Sequence, residues 1–268
     1  MKPRSIHLPD YKRPPLNEVV LGVQFEQPHR YQQIRAGEVW ALYRTEYPNV
    51  EEQPPLPPAF ETFGGRPSTM FQFGIMTGAG HNRFWFLSPT KDELLQFQAD
   101  RLLHNWRKVE DGSNPYPRFE SMIEKFQTEL GSLEAYFGSL APQKLNINQC
   151  EVSYINHIVL DGSSDPSNWL KFLIYSDAYR PDEIAMSLRK ALLNDEGKPW
   201  GRLSIDVGSG ATPKGEPMMQ VTLTVRGAPQ GAGIVDAIKF LNDGREIIVK
   251  TFAEIMTDAA QQKWERVQ

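Results

Sequence analysis

The chain has 268 residues, 40% of them apolar and 11% aromatic, which suffices for a packed core and excludes wholesale disorder. Lys and Arg number 29 against 33 Asp and Glu, and the net charge of −4 is shared evenly between residues 1–142 and 143–268. A broad grip on nucleic-acid phosphates is therefore excluded, and only a local basic patch could supply one. The single cysteine, Cys150, rules out an intrachain disulfide and a cysteine-rich zinc site and points to a reducing compartment.

No stretch reaches the ~20 consecutive apolar residues of a membrane span. The first twenty residues carry no apolar run of signal-peptide length. A soluble, cytoplasmic protein without membrane contact is expected.

In chain order, NEVVLGVQF (17–25) is rich in branched and aromatic residues and reads as a strand. IRAGEVWALYRTEYP (34–48) places Trp40, Tyr43 and Tyr47 on one helical face and stops at Pro48. EEQPPLPPAF (51–60) cannot be a central strand, since proline lacks the ladder N–H, and is expected to cross the molecule as an extended segment. Its PxxP spacing also suits an SH3-type groove, although a proline-stiffened connection is the simpler reading.

MFQFGIM (70–76), RFWFLS (83–88) and LLQFQADRLLHNW (94–106) read as three strands, joined by the turn-forming TGAGHN and PTKDE. Short connections favour antiparallel pairing. A helix follows, launched near Pro117, with Phe119, Met122, Ile123, Phe126, Leu130, Leu133 and Phe137 in one apolar stripe.

The second half repeats the plan. CEVSYINHIVL (150–160) reads as a strand and DPSNWLKFLIYS (165–176) as a short helix. EIAMSLRKAL, GRLSIDVGSG and MMQVTLTVRG read as three strands, with DVGSGATPKGEP (206–217) a mobile hairpin loop. IVDAIKFLNDGREIIVKTFAEIM forms a helix in which Ile238, Leu241, Ile248, Phe252 and Ile255 share a face through Gly244, a residue that costs about 1 kcal/mol against alanine.

The expected fold is α+β. Two pseudo-repeated units of strand, helix, antiparallel strands and long helix, residues 14–142 and 143–268, join their sheets into one curved sheet with helices on one face. The short connection SLAPQKLNINQCEV keeps the units docked. Almost no residue identity links the halves, so the repeat is one of topology. This element order resembles the saddle of the TATA-box-binding protein, a likeness that carries no function.

RPPLNEVVLGVQF, LLQFQADRLLHNWRKVEDGSNPYPRF, YINHI and GREIIVKTFAEIM resemble the signature segments of an uncharacterised, sporadically distributed bacterial protein family of similar length. The resemblance spans nearly the whole chain and is most specific in its middle segment. It carries over no catalytic residue. Sporadic occurrence implies an accessory role such as antitoxin, immunity or phage defence.

The residues point to no catalytic centre. There is no Gly-x-Ser-x-Gly elbow, and Cys150 is expected to be buried within a strand. His7, His29, His81, His104 and His157 show no metal-ligand spacing, although His81, His104 and His157 would meet if their strands were neighbours. The glycine-rich TVRGAPQGAGIVDAI lacks both the P-loop and the dinucleotide pattern and reads as an ordinary connection. No metal and no cofactor is expected.

What remains is a polar face. Read as one strand, residues 94–105 put Leu95, Phe97, Ala99, Arg101 and Leu103 toward the helices, with Arg101 at the rim or paired. Gln96, Gln98, Asp100 and His104 then point the other way. Trp106 is expected to anchor the strand end, and Arg107 and Lys108 to stand at the edge of the polar row, Arg107 pairing with Glu110 or Asp111. The row is either a plain solvated sheet face or a surface that binds a partner.

The leading expectation is thus a non-enzymatic interaction protein binding a protein partner through Gln96, Gln98, Asp100, His104, Arg107 and Lys108. The alternative is a nucleic-acid or nucleotide binder using Arg101, His104, Arg107 and Lys108 with Trp85 or Trp106. A third reading is an enzyme whose residues converge only in space.

Overall fold

The computed structural model describes residues 8–64, 82–109, 112–160, 165–176, 178 and 181–267. The MFQFGIM stretch, His7, His81, Glu110 and Asp111 lie outside the described residues. Described strands are β1 (Leu16–Phe25), β2 (Asn49–Gln53), β3 (Arg83–Leu87), β4 (Glu93–Gln98), β5 (Arg101–Arg107), β6 (Ile147–Val159), β7 (Ala185–Leu193), β8 (Pro199–Ala211) and β9 (Pro217–Gly227). Helices are α1 (Ala36–Tyr43), α2 (Phe119–Leu140), α3 (Ile234–Ile255) and α4 (Asp258–Lys263).

The described strands form one nine-stranded sheet in the order β2-β3-β4-β5-β1-β6-β9-β8-β7, every neighbouring pair antiparallel. β1 and β6 pair at its centre, joining the strands of the two sequence halves. Helix α1 packs on α2, α2 on α3, and α3 on β6 and β9, so the three lie on one face of the sheet.

Strand alternation explains the sidedness. In β1, Val19, Leu21, Val23 and Phe25 enter the core, whereas Val20, Gly22 and Gln24 face away from the helices. The α2 stripe expected from the sequence is buried in full, and Trp106 packs on Tyr116 with ring centroids 5.0 Å apart. Gly244 has a packing reason: a Cβ there would stand 2.7 Å from Cγ1 of Val152, so glycine lets α3 press onto β6.

Residues 94–106 are not one strand but a hairpin, β4 and β5, turning at Ala99 and Asp100, with Gln98 opposite Arg101. Neither turn residue has a positive φ, so the turn needs none of the Gly or Asn that usually marks a two-residue hairpin. The turn shifts the alternation by one residue. Leu102, His104 and Trp106 therefore join Leu95 and Phe97 on the helix side, while Arg101 and Leu103 join Gln96 and Gln98 on the other.

Two further expectations change. Residues 165–176 hold only a 3-10 turn, Pro166–Asn168, because the backbone that follows is committed to the end of α3. Lys171 N–H donates to Ile255 O, and Thr257 N–H donates to Trp169 O. The loop assigned to 206–217 is largely strand, since β8 runs to Ala211 and the turn is closed by Thr212 and Glu216.

EEQPPLPPAF divides at its prolines. Residues 49–53 form β2, at the edge of the described sheet and bonded among the described strands to β3 alone, and the chain then crosses a face.

Candidate functional site

Cross-strand register builds the face opposite the helices into rows. One row is Gln98 on β4, Arg101 on β5, Gln24 on β1 and Gln149 on β6, each paired with the next. The adjacent row runs Trp85, Gln96, Leu103, Gly22, Glu151, Arg226, Arg202 across β3, β4, β5, β1, β6, β9 and β8. Charged and amide side chains thus converge where the two halves of the sheet meet.

Residues 56–63 lie across these rows as an extended strap. Leu56 N–H donates to Gln98 Oε1 at 2.9 Å, and Gln98 Nε2 donates to Leu56 O at 3.0 Å. Arg101 Nη2 donates to Pro57 O at 3.1 Å. Ala59 N–H donates to Gln24 Oε1 at 3.1 Å, and Glu61 N–H to Gln149 Oε1 at 3.4 Å. Arg202 then holds the end: its Nε donates to Glu61 Oε2 at 2.6 Å, its Nη2 donates to Thr62 O at 2.8 Å, and its guanidinium lies over the Phe63 ring. Arg226 bonds Glu151 and stands 3.9 Å from Glu61.

Strap contacts fall on six consecutive strands, β4, β5, β1, β6, β9 and β8. The grip is mainly on backbone groups. Gln24, Gln98, Gln149 and Arg101 are each buried to 7% exposure or less, whereas no residue from 54 to 64 is itself buried. The prolines suit such a segment, because they fix φ and remove donors that a non-strand position would leave unpaired.

The strap does not fill the space beneath it. A cavity of about 220 Å³ remains between Leu56, Pro57 and Ala59 above and Gly22, Leu103, Glu151 and Arg226 below. Gly22 contributes no side chain to its floor, and a Cβ there would meet Leu103 Cγ at 3.2 Å.

The sequence-derived residues divide between the two faces. Gln96 and Gln98 are on the strap face, but both are buried and bonded rather than solvated. Gln96 Oε1 accepts from Trp85 Nε1 and Arg83 Nη1, and its Nε2 donates to Asn105 Oδ1 at 2.9 Å. Asp100 sits in the hairpin turn and accepts from Gln98 Nε2 and Arg101.

His104 does not belong with them. It is fully buried under α2, its Nδ1 2.9 Å from Glu129 Oε2, and His157 is on the strap face beside Gln220, so these two histidines do not meet. Glu129 also accepts from the Tyr47 hydroxyl at 2.7 Å, and burial together with the Glu129 charge pushes the Tyr47 pKa far up. This buried network ties α2 to the sheet.

Arg107 donates from Nε to Lys91 O and lies over the Trp85 ring, while the exposed Lys108 donates its backbone N–H to Asn17 O. Arg83 covers the same indole, each guanidinium carbon 5.5 Å from the ring centroid. Cys150 is buried as expected, and burial raises its thiol pKa well above the usual value.

Sequence reasoning missed Gln24, Gln149, Arg202, Arg226 and Glu61 as members of one site. The available signal was amide or charged residues at the outward positions of strongly apolar strands. Placing them in one row requires the register, which no single strand contains.

No helix among the described residues is long and apolar enough to cross a membrane. No protein-family model matches the chain, and no curated protein matches it in sequence.

Proposed function

We propose that the chain is a non-enzymatic protein-binding component, with the face opposite the helices as its docking surface. The observation that carries this reading is the buried row Gln98, Arg101, Gln24 and Gln149, which grips an extended segment by its backbone. Backbone recognition by fixed side chains is a means of holding peptide chain, and it does not depend on the sequence held. An accessory role in a bacterial cytoplasm, as an antitoxin, immunity or defence-system component, fits a binding module of this kind.

In the same reading residues 14–142 and 143–268 are two docked units of one repeated plan. Each begins with the strand that pairs at the sheet centre, β1 or β6, and returns its last strand, β5 or β9, beside it. The test of function is co-purification of the tagged chain with each product of the neighbouring genes, followed by light scattering. A stable complex of defined mass supports the reading, and failure with every product counts against it.

A second reading, nucleic-acid binding, is favoured by the Trp85 indole with Arg83 and Arg107 each against its ring, an aromatic group with cations at hand. Its test is oligonucleotide binding that weakens as salt rises and is lost in Trp85→Ala.

A further inference from the structure

We infer that the track beneath residues 56–63 is a binding site for an extended, proline-rich segment of a partner protein carrying an acidic residue, which takes the place of the strap. The inference rests on the protein-binding reading above and names the chemistry of what is bound.

Three observations carry it. The first is the division of labour between strap and track. The track side chains are buried and their polar groups committed, while the strap contributes no buried residue to the core. A segment with no core of its own can leave without dismantling the helix side of the sheet.

The second is the pattern read. Gln98 takes the N–H and C=O of Leu56, Arg101 the C=O of Pro57, Gln24 the N–H of Ala59 and Gln149 the N–H of Glu61. No donor is asked of positions 57 and 58, where the strap has prolines. Arg202 and Arg226 then fix one carboxylate, that of Glu61. Any extended chain with prolines at the two silent positions and an acid three residues after the second meets the same demands.

The third is the cavity of about 220 Å³ lined on the strap side by Leu56, Pro57 and Ala59. Of the three strap residues that line it, Ala59 has the smallest side chain. A partner segment with a larger apolar side chain there would fill space that the strap leaves empty.

The test uses the full chain and two fluorescein-labelled peptides, one with the sequence of residues 54–63 and one identical except for leucine at the Ala59 position. Binding is followed by fluorescence anisotropy. Glu61→Arg puts a cation against Arg202 and Arg226 and releases the strap. Ala59→Pro, which removes the N–H held by Gln24, is the second release variant should the first fail to fold.

Since affinity falls with the fraction of chains whose track is vacant, release should tighten binding of the first peptide by roughly two- to sixfold over wild type. The leucine peptide should bind tighter still, by up to about thirtyfold. Adding Gln149→Leu and Arg101→Leu to the release variant should abolish the gain. A folded release variant that binds neither peptide more tightly than wild type overturns the inference, as does a gain indifferent to Gln149 and Arg101. If a neighbouring gene product forms its complex while both peptides fail, the track alone is refuted. If no product binds, the protein-binding reading itself fails.

Discussion

Gly244→Ala tests how closely α3 is pressed onto the sheet. On helix propensity alone the substitution should stabilise the protein by about 1 kcal/mol. The site says otherwise, because the new Cβ would stand 2.7 Å from Val152 Cγ1 and 3.2 Å from Val225 Cγ1. Both valines are fully buried, and a β-branched side chain has little χ1 freedom with which to give way. Overpacking of this sort costs about 1–3 kcal/mol, and a contact inside 3 Å against two stiff neighbours belongs at the upper end. The expected net effect is about 2 kcal/mol of destabilisation, a fall in Tm of about 4–8 °C for a chain of this size. Thermal and urea unfolding followed by circular dichroism measure it. Val152→Ala supplies the control: with the 2.7 Å contact gone and only Val225 still in the way, the loss from Gly244→Ala should shrink markedly. A higher Tm for Gly244→Ala in the wild-type background, or an equal loss in both backgrounds, would refute the close-approach argument.

Phe126→Ala removes a fully buried ring from the α2 stripe and should cost roughly 3–5 kcal/mol, so an unchanged Tm would place the stripe on the wrong side. Asp92 gives a pH dependence. Partial burial alone would raise its pKa, but hydrogen bonds from Thr90 and Ser88, its own amide and Asn114 outweigh that and hold it below the usual value. A depressed folded-state pKa contributes stability above the ordinary carboxylate value of about 4 that disappears as pH falls through the folded value. Asp92→Asn should therefore lower Tm at neutral pH and converge with wild type in acid, and a gap that widened in acid would contradict the assignment. Cys150, buried with a raised pKa, should resist a thiol reagent in the native protein and react only on unfolding; a fast native reaction would show the thiol at the surface.

Most elements were legible because their signals are local. The apolar stripe of α2 and the branched and aromatic run of β1 each lie within one short window, and burial follows them. The α3 stripe was legible too, although the reason for Gly244 was not, since it lies in Val152 on a strand 92 residues away. The β4–β5 hairpin was missed for a physical reason. Ala99 and Asp100 turn without positive φ, and the stretch from Leu94 to Leu103 holds no Gly, Pro or Asn to mark the break. That miss moved His104 to the wrong face and left Arg101 on the helix side. The strap was half legible: prolines excluded a central strand and implied a crossing, but the residues that hold it come from six strands and are defined only by register.

The energetics of the strap bear on whether it can be exchanged. Among the described residues it makes four hydrogen bonds with glutamine side chains, and it receives two from arginines to carbonyl groups. At about 1 kcal/mol for the neutral bonds and about 2 for the charge-assisted ones, these give about 8 kcal/mol. The partly exposed Glu61–Arg202 pair adds no more than about 1. Ordering eight residues costs about 8 kcal/mol at the low end of the usual range, which is appropriate where two are prolines with φ already fixed. The strap therefore lies near balance, held by many weak terms and by no buried side chain. Small gains then decide which segment occupies the track. Three further methylene-sized groups placed from the Ala59 position into the cavity it helps to line would contribute about 2 kcal/mol, or about thirtyfold in affinity. A partner needs no stronger backbone grip than the strap already has; it needs one larger side chain at the position where the strap carries alanine.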